Sequence, residues 1–351
     1  MAHPLVAPLL AWFDHARRDL PWRSPQGVSR DPYRVWLAEI MLQQTTVAAV
    51  MPRFRDFLER WPDVATLAAS PLEEVLDRWA GLGYYARARN LHAAARIVAG
   101  NGGRFPESPE ALVRLPGIGP YTANAIAALA FDRPVLAIDG NVERVFSRLF
   151  RIEATGNALK AAIARLACDL VPRDRAGDFS EAVMDLGALI CTPRTPLCPR
   201  CPLGPLCAAR AEGETARFPI KPARKARPVR RTLMFVVMRD GSVLARRRPA
   251  GGMLGGMLEL PSSPWVAEEA FDAEDAFRHA PGGRDWRALP GRIRHSFTHF
   301  HLDIEVMSGT AGTAGKWQDD TLFWLPLASE RRLPSAMRKA LVHAGALAFR
   351  A

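Results

Sequence analysis

The sequence predicts two domains, an all-α domain followed by an α+β domain, and three observations carry that reading. Helical periodicity dominates the chain up to about residue 210, in Ala- and Leu-rich stretches broken by Pro and Gly, with almost no strand signal. The periodicity then lapses, and Lys221, Arg224, Lys225, Arg227, Arg230 and Arg231 follow one another without an intervening acid, which reads as a basic linker over residues 211–228. Beyond it, residues 232–239 (TLMFVVMR) favour a strand, Asp240-Gly241 is a hairpin dipeptide, and residues 242–247 form the returning strand.

Within the first domain, residues 34–61 carry one or two helices and residues 71–80 another. Residues 85–98 bear a further apolar stripe, stopped by Gly100-Asn101-Gly102-Gly103. Residues 109–114, 121–131 and 142–150 continue the helical pattern. In the second domain, residues 300–307 and 322–325 read as strands and residues 336–348 as a helix, so this domain spans 229–351.

The chain has 351 residues, of which 48% are apolar and 24% charged, and no uninterrupted apolar stretch approaches the roughly 18 residues of a membrane helix. The apolar start, up to Phe13, lacks a basic leader and a small-residue cleavage site, so the expected compartment is a bacterial cytoplasm. The net charge of +11 and pI of about 10.1 favour a polyanionic partner.

The five cysteines are bunched: Cys168 stands apart, and Cys191, Cys198, Cys201 and Cys207 follow as C-x6-C-x2-C-x5-C. Four thiolates so close converge on one centre only if the loops turn sharply, and Pro193, Pro196, Pro199, Pro202, Gly204 and Pro205 supply the turns. Tetrathiolate sites hold Zn2+ or an iron–sulfur cluster, and the longer loops here suit the larger cubane. This spacing at the end of an all-α domain resembles the iron–sulfur loop (191–207) of the endonuclease III family of DNA glycosylases. The resemblance implies a [4Fe–4S] cluster that shapes a loop, with Arg194 and Arg200 as phosphate contacts.

Leu115-Pro116-Gly117-Ile118-Gly119-Pro120-Tyr121 separates two helical segments. Its glycines permit close backbone approach and positive φ, and the following helix turns unpaired N–H groups toward an anion. Followed by Thr122-Ala123, the stretch resembles the helix-hairpin-helix pattern that binds the DNA backbone, with Gly117 and Gly119 as the contact points. In family members that also cut the strand, the second residue after the last hairpin Gly is a Schiff-base Lys; here it is Tyr121. Lys160 is the lone lysine of residues 1–210 and lies outside any such motif, so the resemblance implies monofunctional chemistry with water as nucleophile.

Two carboxylates stand out. Val35, Ala38, Glu39 and Leu42 share one helix face, so Glu39 interrupts a core stripe, and burial there favours the protonated carboxyl that a general acid needs. With Gln43-Gln44-Thr45 after it, this segment resembles the E-[IV]-M-L-Q-Q-T signature of MutY-type adenine glycosylases. Asp139 follows an apolar run and precedes Gly140-Asn141, the place of a helix N-cap. Residues 138–145 also match the family's V-D-G-N-V-x-R-V, which implies that Asp139 is the essential carboxylate, assisted by Asn141 and Tyr121. A carboxylate near the sugar lowers the barrier to cleaving an N-glycosidic bond, which builds positive charge there. The same resemblance assigns Trp22 and Arg23 to an adenine pocket, although residues 24–30 make the following segment longer than the pattern. It also assigns Gln44 and Tyr84 to duplex wedging when the base is flipped.

In the second domain, Gly255-Gly256-Met257-Leu258-Glu259-Leu260-Pro261 resembles the opening of the Nudix catalytic box, but residues 262–277 lack the R-E-x-x-E-E helix that holds Mg2+. A Nudix-like binding domain without pyrophosphatase chemistry is expected. Phe297-Thr298-His299 resembles the family's F-[ST]-H loop and is thereby assigned to 8-oxoguanine on the opposing strand, while metal binding by His295, His299 and His301 is disfavoured. The expected partner is double-stranded DNA holding A:8-oxoguanine or A:G mispairs, bound by a monomer. A bifunctional glycosylase/lyase for oxidised pyrimidines, a silent DNA-binding or redox protein and a Nudix hydrolase are the alternatives.

Overall fold

The computed structural model describes residues 3–25, 28–220, 226–249, 252–282, 284–310 and 321–347. Lys221, Arg224 and Lys225 of the basic linker and Ala348 of the expected last helix lie outside the described residues. The chain divides into two compact units, Met1–Arg78 with Arg87–Ala223, and Trp79–Ala86 with Arg224–Ala351.

The described part of the first unit is helical throughout. Its elements are α1 (Val6–Ala16), α2 (Pro32–Leu42), α3 (Val47–Arg60), α4 (Val64–Ala69), α5 (Leu72–Arg78), α6 (Ala86–Gly100), α7 (Pro109–Leu112), α8 (Pro120–Phe131), α9 (Gly140–Leu149), α10 (Gly156–Leu170), α11 (Ala176–Leu189) and α12 (Ala208–Ala211). Polar caps set the starts: Asp31 accepts from the Tyr33 N–H with Pro32 at the first helical position, and Thr46 accepts from Ala49 N–H. The 34–61 stretch is therefore two helices, parted at Gln43–Thr46 where Gln44 takes a left-handed φ of +56°. Helix α6 ends as expected, on Gly102 and Gly103 with φ of +73° and +75°. Phe13, Phe146 and Phe179 centre a core in which α1, α9, α10 and α11 pack together. Of these four helices, sequence periodicity marks α9 alone.

The second unit carries an eight-stranded mixed sheet: β1 (Val229–Arg239), β2 (Ser242–Arg247), β3 (Leu258–Glu259), β4 (Val266–Ala267), β5 (Arg284–Ala288), β6 (Ile293–Ser296), β7 (His301–Thr310) and β8 (Leu322–Pro326), with helices α13 (Ala273–Phe277) and α14 (Ser335–His343). The central order is β3-β2-β1-β7-β5. Strands β1 and β7 run parallel from Val229↔His301 to Met238↔Thr310, while the other strand pairs among the described residues are antiparallel. Thr232 through Val237 are all buried, as a central parallel strand covered on both faces requires. Met337, Ala340 and Leu341 of α14 pack with Val236, Ile304 and Leu302, and Phe235 turns toward Trp286 and Phe277 on the opposite face. Asp240 and Gly241 form the expected hairpin turn, both with positive φ. No R-E-x-x-E-E helix follows Glu259; that stretch holds a short 3-10 turn, Glu268–Ala270, and the five-residue α13. Helix α14 stops at His343, earlier than the apolar pattern suggests, and Gly345 takes φ +71° just beyond it.

Candidate functional site

A cavity of about 840 Å³ opens in the first unit. Glu39, Tyr121, Asp139 and Asn141 line it with Trp22 and Arg23, and Gln44, Gly117 and Gly119 edge it. Residues far apart in the sequence thus meet around one hollow.

Glu39 sits in the last turns of α2 and is only 7% exposed, on the stripe shared with Val35 and Ala38. Burial pushes its carboxyl up to about 7, and the charges of Asp139 and Glu181 push in the same direction. A hydrogen bond from the Tyr121 hydroxyl and the nearby Arg23 charge act the other way. Tyr121, in the first turn of α8, leaves 37% of its surface open while its hydroxyl is tied to Glu39. The Glu39 charge, burial and Asp139 all raise the Tyr121 pKa, so the phenol stays protonated and donates.

Asp139 caps α9: one oxygen accepts from Val142 N–H at 2.7 Å and the other from the Asn141 amide at 2.8 Å. Both oxygens are therefore fixed in direction. Asn141 is fixed in turn by Arg144, whose guanidinium donates to the Asn141 side-chain oxygen at 2.8 Å, to Gly187 O at 2.6 Å and to Cys191 O at 2.6 Å. A hydrogen-bonded path thus runs from the cysteine loop to the cavity. Helices α9 and α11 touch closely along it: a Cβ on Gly187 would stand 2.6 Å from Cβ of Asn141.

The hairpin before α8 is anchored by buried Leu115 and Ile118. Only Gly117 takes the left-handed conformation (φ +79°), and a Cβ there would stand 2.8 Å from Cβ of Asn90; Gly119 is an extended N-cap. The Gln43 amide spans from Gly117 O (3.2 Å) to the Thr122 hydroxyl (3.1 Å), joining the hairpin to the end of α2. Gln44 is exposed at the cavity edge, and Tyr84, in the second unit, is half-exposed with φ +47°.

Among the described residues no group of three or more His, Cys, Asp or Glu side chains is assembled to hold a metal ion. The thiols of Cys191, Cys198, Cys201 and Cys207 are nevertheless half-buried neighbours. Burial first, and then the other three thiols, push Cys201 up to about 11, and burial also raises Cys207. Buried Arg148 donates to Cys191 Sγ at 3.3 Å and to Thr192 O at 2.8 Å. The charges of Cys191, Cys198 and Cys207 all reach Cys201, and a cation is aimed at Cys191; soft donors of this kind suit a group bound as thiolates.

In the second unit, β6 and β7 form a hairpin closed by Phe297 N–H donating to Phe300 O at 2.9 Å, with Thr298 and His299 at its tip. The Phe297 ring is half-buried, 5.5 Å from Trp265 and 4.9 Å from Phe300, so one side of it packs inward, next to the exposed Thr298 and His299. The Tyr84 and Thr298 hydroxyls, both in this unit, lie 3.1 Å apart. His301 bonds Ser296 through Nδ1 at 2.8 Å.

The profile described as HhH-GPD superfamily base excision DNA repair protein matches residues 37–171, and a NUDIX domain profile matches residues 233–343. The mouse adenine DNA glycosylase is 35% identical over 358 residues, covering 86% of this chain and 69% of that protein. The chain belongs to the adenine DNA glycosylase family. The human adenine DNA glycosylase is 34% identical over 85% of this chain, which spans 65% of that protein's length. A solved structure described as a thermostable thymine-DNA glycosylase aligns with 59% of this chain and 94% of its own, at 33% identity and a TM-score of 0.53.

The sequence assigns no role to three residues of this family member, although Arg144 falls within the motif of residues 138–145. Glu181 lines the cavity and raises Glu39, Asp185 lies behind it with no exposed surface, and Arg144 links Asn141 to the cysteine loop. A signal for the first two exists: Asp178, Glu181 and Asp185 form an acidic stripe at i, i+3 and i+7 in an otherwise apolar helix. Lys160 also lies on the cavity wall, paired with Glu143 at 3.6 Å, where no motif marks it.

Proposed function

We propose that this chain is a monofunctional DNA N-glycosylase that removes adenine mispaired with 8-oxoguanine or guanine, in base excision repair. The observation that carries the proposal is the meeting of Glu39 and Asp139 in one cavity, with the Glu39 carboxyl pushed up to about 7 by burial. Near neutral pH a large fraction of Glu39 is protonated, the form that delivers a proton to N7 of an extruded adenine. Protonation makes the base a neutral leaving group. The C1′–N bond breaks, and Asp139, aimed by Val142 N–H and the Asn141 amide, opposes the positive charge that grows on the sugar. Water adds at C1′ and leaves an abasic site. Tyr121 donates to Glu39 and keeps its carboxyl oriented toward the cavity.

The remaining roles follow the same reading. Cys191, Cys198, Cys201 and Cys207 hold a [4Fe–4S] cluster, which when bound supplies a rigid cross-link of the loop rather than a reacting centre. The α8 N-terminus behind Gly117 and Gly119 takes a backbone phosphate. Gln44 and Tyr84 enter the duplex, Trp22 and Arg23 wall the base pocket, and Phe297, Thr298 and His299 meet the opposing base, the last two through hydrogen-bonding groups. Residues 1–210 and 229–351 are assigned to excision and to lesion recognition, acting as a monomer on DNA.

Lys160 favours a second reading, because it brings an amine to the cavity wall. An amine there can condense with the aldehyde of the abasic sugar and trap it as an imine. Incubation with duplexes bearing A opposite 8-oxoguanine, G or T, followed by alkali, tests the main proposal. Alkali-dependent breaks at A opposite 8-oxoguanine and G are expected, and their absence overturns it. Borohydride trapping of the wild type, lost in Lys160→Ala, supports the second.

A further inference from the structure

Between α1 and α2 the chain passes the cavity and carries Trp22 to its wall, the ring edge-on to Phe54 at 5.4 Å. Four arginines of this stretch, Arg17, Arg18, Arg23 and Arg30, pair with the acidic stripe of α11. Asp185 is its most buried member, with no exposed surface, and it does not line the cavity. One Asp185 oxygen accepts from Arg18 Nε at 2.5 Å and from Arg23 at 3.0 Å; the other accepts from Arg18 N–H at 3.1 Å and from Arg23 at 2.7 Å. Arg23, with its side chain 6% exposed, also pairs through Nε with Glu181 at 3.1 Å and donates to Arg18 O at 3.2 Å.

These bonds occupy most of the five N–H donors of Arg23. What it gives the cavity is consequently its place and planar surface rather than a set of free donors. A wholly buried carboxylate is a poor way to gain stability, since desolvation offsets its pairing; its better-attested use is to fix one arrangement among several.

We infer that Asp185 is a positioning residue for the base-binding cavity: by clamping Arg18 and Arg23 it holds the Trp22–Arg23 wall in place, and thereby sets how firmly the extruded base is held. Asp185 is not itself among the groups that act on the proton donor Glu39. This rests on the adenine-excision reading above.

The test uses the full chain and two duplexes with 8-oxoguanine in the opposite strand. One carries 2′-fluoro-adenosine, which resists cleavage, and the other a tetrahydrofuran abasic-site analogue, which has no base to hold. Asp185→Asn is expected to weaken binding of the first by about 10-fold or more and to leave the second within about twofold, because only the first uses the wall. The pH at which excision declines moves little, because the Arg23 charge is the smallest of the influences on Glu39. The double variant with Arg23→Gln is no worse than Arg23→Gln alone. Should Asp185→Asn fail to fold, Arg18→Gln, which keeps the Asp185–Arg23 pair, gives the same pattern at smaller size. Equal losses on both duplexes, wild-type binding of the fluoro-adenosine duplex, or multiplying effects in the double variant overturn the clamp. A wild type that releases no adenine overturns the excision reading and the clamp with it; an active wild type with unaffected Asp185→Asn overturns the clamp alone.

Discussion

Replacing Glu39 by Gln separates the stability of the fold from its chemistry. Burial first, with Asp139 and Glu181 behind it, raises the carboxyl from 4.5 to about 7. A carboxyl raised in the folded state contributes its full stability below pH 4.5, and that contribution is lost as pH climbs through about 7. The whole span is worth about 3 kcal/mol, at 1.36 kcal/mol for each pH unit. Gln has the same shape and no proton to lose, so it escapes the penalty. Urea unfolding followed by tryptophan fluorescence, from pH 4.5 to 8.5, is expected to match the two proteins at the acid end. At the alkaline end the variant should be the more stable by an amount approaching about 3 kcal/mol. The same variant loses excision by about 10²- to 10⁴-fold, the usual weight of a general acid. Unfolding curves that stay parallel across the pH range would refute the claim that burial holds this carboxyl protonated.

Asp139→Asn keeps a cap acceptor for Val142 N–H but removes the charge facing the sugar; single-turnover excision should fall by about 10²-fold or more with DNA affinity retained. Gly187→Ala places a Cβ 2.6 Å from Asn141, so thermal unfolding should show a loss of about 1–3 kcal/mol, with slower excision as the Asn141–Asp139 bond is displaced. Cys198→Ser should lower iron content and visible absorbance, and loosen the segment that Arg144 and Arg148 tie to the cavity. Affinity for duplex DNA should fall steeply with salt, as expected of a chain with net charge +11, and a flat response in a titration would contradict the phosphate contacts.

Local chemistry is legible in the sequence wherever one residue settles a backbone problem. Gly102 and Gly103 stop a helix, and Asp240-Gly241 turns a hairpin. The Glu39 stripe is legible for the same reason, since a carboxyl among Val35 and Ala38 is a local contradiction in the pattern. Partnerships across the chain are not. Asp185 shows in the sequence as one acid of a stripe, but its partners are fixed only when α11 packs against the arginines of residues 17–30, and Lys160 has no motif that brings it to the cavity of Asp139. The turn at Phe297 is visible, but its inward packing depends on Trp265, far earlier in the chain and in a short loop for which no periodicity exists. Strands β3 and β4, two residues each, are too brief for a period to form.

The central claim is that a buried carboxyl donates the proton that frees the base. The rate of adenine release in a single turnover, measured from pH 5 to 9 on a duplex with 8-oxoguanine opposite adenine, tests it most directly. The rate should decline as pH rises through about 7, the value at which Glu39 loses its proton, and the small residual rate of Glu39→Gln should show no such decline. A wild-type rate that stays level or rises across that interval would contradict it.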